Sequence, residues 1–312
     1  MNRLPFRLGT TSYIWPDDIL PNVVRLAPLV DDVELVLFES DEYGSNLPSE
    51  AVITELRQLA QAHDLTYTVH LPLDLRLADD DSTRHPSLEK ARRVVERTRM
   101  LEPFAYVVHL DGKAIAPPPL DPLPRRNTDR RGGTDAETLA RWQTQAARSL
   151  VQVAGWAGDA SQVCVENLEN YDPTVFVQVL DAVPASRCVD VGHFWLQGRD
   201  PLPHLRQWQN RTRVVHLHGI GERDHKSLAL VPPEALDPVV AYLVENMRGV
   251  VTLEVFGVDD FFSSKQALEA AVERVLSPRT LALPATPCPG HRPGGAQAGA
   301  SVTRMSANME KN

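Results

Sequence analysis

The sequence predicts an α/β fold, a single (β/α)8 barrel, on three observations. Eight short apolar runs alternate with amphipathic stretches across residues 1–278, the signature of a repeated strand-helix unit. No glycine fingerprint for a dinucleotide follows the first run, which disfavours a doubly wound sheet, the other architecture such alternation allows. Most of the runs also close on His, Asp or Glu, whereas a packing role asks only for hydrophobes of the right volume.

The first strand is read at Phe6 to Tyr13, and Leu20, Val23, Leu26 and Ala27 mark a helix from about Asp18. Val33 to Phe38 is the second strand and delivers Glu39, after which Ser49 caps a helix running to about His63. Thr66 to His70 is the third, followed by a helix that Pro86 opens at its favoured first-turn position. The fourth strand, Tyr106 to His109, leads into an insertion at about 112–135 that contains Pro117-Pro-Pro and the arginine-rich run Arg125 to Arg131. A loop of that length without apolar periodicity reads as a candidate lid over the mouth, its arginines either solvated or contacting a phosphate.

A helix through Leu139, Trp142, Ala146 and Leu150 precedes the fifth strand, Val163 to Glu166. A helix after Asp172-Pro173 leads to the sixth strand from Arg187, and Leu202 to Trp208 forms another helix. The seventh strand is Val214 to His218, a helix runs from Pro232 to Met247, and Val250 to Glu254 is the eighth strand. Lys265 to Leu276 closes the barrel, and residues 279–312, rich in Pro, Gly, Ala and Ser, read as a disordered tail.

Composition excludes several classes. The chain of 312 residues is 43% hydrophobic and 23% charged, ordinary for a globular protein. No apolar run approaches the roughly 20 residues that span a bilayer, and no signal-peptide core follows Met1, so the reading is a cytoplasmic protein with no membrane partner. The 3 cysteines include no Cys-x-x-Cys pair, against a disulfide scaffold or a zinc knuckle. A net charge of −9 disfavours nucleic acid as a nonspecific partner.

In a parallel barrel every strand C-terminus points to one face. His70, His109, Glu166, Asp190, His193, His216 and Glu254 therefore converge on the mouth, with Glu39, His218, Asp224 and His225 close by. Crowded carboxylates repel one another and resist ionisation unless a cation sits among them. A divalent metal resolves that conflict, and mixed imidazole and carboxylate ligands suit manganese, zinc, iron or cobalt, with manganese the ion favoured. Because residues two apart on a strand share a face, Cys164 below Glu166 and Cys188 below Asp190 read as small buried hydrophobes under the site. His63, His85 and His204 lie on or beside amphipathic helices and read as surface residues, as does His291 in the tail.

At these residues the chain resembles the xylose isomerase-like (AP endonuclease family 2) barrel superfamily, which includes sugar isomerases and epimerases and the endonuclease IV type of phosphodiesterase. In the sugar enzymes one metal is held from strands five to eight by the types found at Glu166, Asp190, His216 and Glu254. The endonuclease branch adds histidines matching His70 and His109, and an Asp-x-x-His matching Asp190-Val-Gly-His193. After strand seven that branch carries Asp-x-His; here the chain departs and offers Glu222-Arg-Asp-His225, leaving His225 as the candidate ligand. Leu8 to Tyr13, Leu20 to Glu39, His70 to Leu75 and His216 to His225 further resemble the cobamide-remodelling phosphodiesterases.

That resemblance implies hydrolysis of the nucleotide-loop phosphodiester of an adenosylated cobamide, a small-molecule corrinoid, to adenosylcobinamide phosphate and an α-riboside. Glu166 and Glu254 are the candidate catalytic carboxylates. His70, His109, Glu166, Asp190, His193, His216, His225 and Glu254 are the candidate metal ligands, and Glu39, His218, Arg223 and Lys226 the candidate substrate contacts. The alternative activity is a metal-dependent sugar or sugar-phosphate epimerase, in which two glutamates exchange protons with carbon.

Overall fold

The computed structural model describes residues 4–40, 44–79, 82–112 and 136–277. The predicted lid, apart from Gly112, and the predicted tail lie outside the described residues.

Eight parallel strands close into a barrel in chain order: β1 Arg7–Thr11, β2 Asp32–Val36, β3 Thr66–His70, β4 Ala105–Val108, β5 Val163–Glu166, β6 Ser186–Asp190, β7 Thr212–Leu217 and β8 Val250–Leu253. The barrel follows from the alternation in the chain, since each strand is too apolar to leave either face in water and closure removes both sheet edges. A two-stranded antiparallel ribbon, Glu39–Ser40 with Gly44–Ser45, stands after β2.

The helices are α1 Ile19–Leu26, α2 Glu50–His63, α3 Pro86–Thr98, α4 Ala136–Ala157, α5 Val177–Ala182, α6 Val191–Leu196, α7 Leu202–Gln207, α8 Pro233–Asn246 and α9 Val258–Leu276. Ser49 caps α2 as predicted, its hydroxyl accepting from the Val52 N–H. The α3 cap is His85, whose ring accepts from the Leu88 N–H, and the ring is buried, not on the surface as expected. Helix α9 begins seven residues before the predicted Lys265, because Asp259 and Asp260 in its first turn complement the helix dipole. Among the described residues no helix is long and apolar enough to cross a membrane.

The barrel wall packs outward on the helices through a continuous apolar layer that includes Val33, Leu35, Val69, Val165, Val189, Val215 and Val251. Inside it, Ala105, Val107, Cys164, Cys188 and Val214 form a separate small-residue cluster. Both thiols are fully buried below the strand ends, as the alternation predicts. Burial pushes the Cys164 thiol up to about 12 and raises Cys188 as well, so both remain protonated packing groups. Register then aligns the polar layer above them: Asp190 on β6 is paired with His216 on β7, and His216 with Thr252 on β8.

Candidate metal centre

Four overlapping groups of side chains at the strand ends offer ligand atoms that all lie within 4.8 Å of one another inside each group. Glu166, Asp190, His216 and Glu254 form one; His70, His109 and Glu166 a second; Asp190, His193, His218 and His225 a third; Glu166, Cys188 and His216 a fourth. Glu166 is thus shared by the first two and Asp190 joins the first to the third. The fourth repeats Glu166 and His216 from the first and adds only the buried Cys188 thiol.

Each side chain is placed by a local device. Asp190 ends β6 and caps α6, accepting from the His193 N–H at 2.6 Å, so the Asp-x-x-His spacing turns both side chains to one mouth. Asn167, directly after β5, clamps β5 to β6: its amide donates to the Asp190 carbonyl and accepts from the Asp190 N–H, both at 2.9 Å, while its carbonyl faces His193 Nδ1 at 2.9 Å. Gly192 leaves room for the His218 ring, because a Cβ there would stand 2.1 Å from a ring carbon. The segment from Gly219 to Lys226 folds back as a narrow loop closed by paired backbone hydrogen bonds. It carries His225 in the left-handed region, φ +53°, a costly conformation held over the site. His225 Nε2 reaches Glu254 at 3.3 Å, and its ring stacks on His218.

The donor and acceptor geometry of these rings fits a bound cation. His70 Nδ1 lies 2.8 Å from the Leu71 carbonyl and must carry its proton there, which aims the other ring nitrogen, 3.3 Å from Glu166 Oε2, at an acceptor. His109 Nε2 converges on the same oxygen at 3.1 Å. His216 Nδ1 stands 2.9 Å from Glu254 Oε2, 3.5 Å from Glu166 Oε1 and 3.9 Å from Asp190 Oδ2. The Glu254 contact is close, yet neither His216 Nδ1 nor Glu254 Oε2 has a hydrogen bond of acceptable geometry. Buried donor-set atoms that face a common point without satisfying one another fit a bound ion.

Without an ion, protons supply the positive charge. Burial pushes the His193 ring down, but Asp190 and Glu166 overcome it and lift it to about 9. His225 is likewise pushed down by burial and lifted, chiefly by Glu254, to about 10, and His216 stands well above the usual imidazole range. Burial resists ionisation of Glu166, yet the His216 and His109 rings hold its carboxyl well below the usual carboxylate range. His216 and His225 do the same for Glu254.

The site opens into a cavity of about 390 Å³ lined by His70, His109, Glu166, His193, His225 and Glu254, with Arg223 and the half-exposed Leu73 and Phe256 on its walls. The structure brings together all eight predicted metal ligands and adds His218, whose Nε2 is 3.3 Å from Asp190. His218, predicted as a substrate contact, is fully buried and groups with Asp190, His193 and His225 instead of lining the cavity. Of the other predicted substrate contacts only Arg223 lines the cavity. Glu39 lies in the ribbon beyond β2 and pairs with Arg93 at 2.7 Å; Lys226 is held toward Asp260 at 3.6 Å. Sequence reasoning missed Glu34, buried on β2 with Oε2 2.9 Å from His216 Nε2. The available signal was a carboxylate inside the apolar run Val33-Glu-Leu-Val.

The comparisons agree with this architecture. The family model described as xylose isomerase-like TIM barrel matches residues 30–276. A D-tagatose 3-epimerase-like protein is similar at a TM-score of 0.65 and 20% identity, over 86% of this chain and 98% of that one. Endonuclease IV from Thermus thermophilus is similar at 0.61 and 17% identity, over 86% and 99%. D-allulose 3-epimerase from Methylomonas sp. is similar at 0.59 and 15%, over 87% and 98%. At such identities the likeness to solved structures speaks for the fold alone. No curated protein matches in sequence.

Proposed function

We propose that this chain, which belongs to the xylose isomerase-like TIM barrel family, is a divalent-metal-dependent phosphodiester hydrolase acting on the nucleotide loop of adenosylated cobamides. Its products are adenosylcobinamide phosphate and an α-riboside. The observation that carries the hydrolase reading is the extension of the Glu166, Asp190, His216 and Glu254 group on both sides by histidines, with Glu166 and Asp190 as shared carboxylates. Proton exchange at carbon needs one ion and two carboxylates and leaves those five further histidines without a task.

Ions bound at these groups would neutralise phosphate oxygens and lower the pKa of water to about 7, with manganese favoured and zinc, iron or cobalt also suited to the donors. The chain's own residues do the rest. Glu166 and Glu254 stay ionised under the imidazoles around them and so remain ligands or proton acceptors. Arg223 lines the cavity, where its guanidinium can engage a phosphate oxygen. A phosphodiester seated in the cavity would leave the larger corrin ring toward the half-exposed Leu73 and Phe256 on its walls.

The cobamide assignment is supported by the sequence runs around Leu8 to Tyr13, Leu20 to Glu39, His70 to Leu75 and His216 to His225. Manganese-loaded protein incubated with adenosylcobamides is expected to yield adenosylcobinamide phosphate, identified by mass spectrometry, and to lose that activity with chelator or Glu166→Gln. Absence of turnover with metal demonstrably bound would overturn the cobamide reading. An epimerase is the second reading, favoured by the two glutamates that share one ligand group. A stoichiometry of one ion and turnover of ketoses would establish it instead.

A further inference from the structure

The ligand groups leave Glu34 without a role, although its setting is unusual. Its side chain is fully buried inside the barrel on β2, and it reaches across to His216 on β7, 182 residues away and not on a neighbouring strand. Glu34 Oε2 lies 2.9 Å from His216 Nε2, while Glu34 Oε1 has no hydrogen-bond partner. A carboxylate held out of water is costly unless something uses its charge.

Imidazole chemistry says what uses it. The two ring nitrogens are distinct, and the group facing one decides what the other can do. A carboxylate at Nε2 requires a proton there, since an acceptor cannot face a lone pair. The lone pair of the neutral ring is then committed to Nδ1, the atom that faces Glu254, Glu166 and Asp190 at 2.9, 3.5 and 3.9 Å. Carboxylate-backed histidine of this kind fixes ring angle and raises ligand basicity.

We propose that Glu34 is a positioning residue that holds His216 in the Nε2–H form, with Nδ1 presented to the ion among Glu166, Asp190 and Glu254. The inference rests on reading that group as a metal position and is independent of the reaction catalysed there. Glu34 lies outside the Asp190, His193, His218 and His225 group, so its effect is confined to one position.

The test uses the full chain, stripped by chelator and reloaded with manganese or zinc, as wild type, Glu34→Gln and Glu34→Ala. Ion stoichiometry and Kd are measured first, and the His216 N–H is then followed by 15N-edited NMR in the zinc form. The alanine variant is expected to bind one ion about 10- to 100-fold more weakly than wild type while the remaining ions are unchanged. Glutamine, whose amide oxygen still accepts from Nε2–H, is expected to recover most of that loss. A slowly exchanging His216 Nε2–H is expected in wild type and the glutamine variant and is lost in the alanine variant, a signature that mere packing would not move. Wild-type affinity and the same N–H signal in Glu34→Ala would overturn the proposal. Should that variant not fold, Glu34→Gln decides, and a proton on Nδ1 there overturns it. If wild type itself binds neither ion, the metal reading falls, and this inference falls with it before any variant is compared.

Discussion

His216 and His204 are both buried imidazoles beside β6, on opposite faces of the strand, and their surroundings drive them to opposite proton states. On the inner face, His216 is paired in register with Asp190 and ringed by Glu34, Glu166 and Glu254. Burial opposes its charge, but the groups around it, Cys188 first and then the carboxylates of Glu254, Glu34 and Glu166, carry the ring well above the usual imidazole range. On the outer face, Arg187 is fully buried against α7, with Nη2 3.0 Å from His204 Nε2 and its guanidinium over Trp208. There burial and the arginine act together and push His204 down to about 3, so its Nε2 accepts from Arg187. Burial sets the scale of the shift, and the sign comes from the neighbours. Carboxylates invite a cation on the inner face, and on the outer face the cation is Arg187, whose partner is the neutral His204 ring and which has no salt bridge among the described residues.

The largest test of this contrast is Glu166→Gln. Glu166 belongs to three of the four candidate ligand groups, so its loss is expected to remove more than the 10- to 100-fold in activity and metal affinity typical of outer hydrogen-bonding partners. Arg187→Gln, on the other face, is expected to leave ion stoichiometry unchanged. Equal effects of the two on metal binding would break the comparison.

Metal removal comes next, read through pH. In the ion-free protein His193 and His225 are raised from 6.5 to about 9 and about 10. Their contribution to stability is fully present below pH 6.5 and is lost as pH rises through those folded values. Bound ions require neutral rings and displace protons, so metal affinity rises over the same range. Thermal melts from pH 6 to 10 are expected to decline in chelator and to hold with manganese. A flat profile in chelator would contradict the proton state of the inner face.

A smaller effect belongs to the outer face at acid pH. His204 is lowered from 6.5 to about 3, so its stability contribution is complete above pH 6.5 and is lost as pH falls toward about 3, with or without metal. His204→Gln keeps an acceptor for Arg187 and is expected to soften the acid limb of the melting curve without touching the alkaline one. The smallest effect concerns the buried cation itself. Arg187→Met alone strands the His204 acceptor and is expected to cost roughly 1–2 kcal/mol in denaturant unfolding. Adding His204→Leu is expected to return that loss, because replacing a buried polar pair by hydrophobes is often neutral.

The two faces are unequally legible in the sequence. Glu166, Asp190, His216 and Glu254 stand out because a polar residue closing an apolar run breaks the packing pattern at a place where barrel topology collects side chains. Glu34 breaks the same pattern one step earlier, but strand β2 ends at Val36, and attention to the end of its apolar run selects Glu39, which the ribbon carries away to Arg93. Along the chain Arg187 and His204 look like a strand start and an exposed helical residue. Only the packing of α7 onto β6 buries them together. His218 reads as a substrate contact because strand alternation places it nearer the mouth than His216. The left-handed turn at His225 folds the loop back so that its ring stacks on His218 and groups with it as a candidate ligand.

By itself the sequence determined the alternation of strands and helices, and hence the barrel, and the residue types at the strand ends, and hence the donor set. Those are local properties, set by periodicity and side-chain chemistry along a few consecutive residues. Which donors come together, that Glu34 reaches His216, and that Arg187 meets His204 and, among the described residues, no carboxylate were decided by the tertiary structure. Each depends on the distance between atoms far apart in the chain, fixed by strand register, barrel closure and loop backbone angles that no short stretch of sequence encodes.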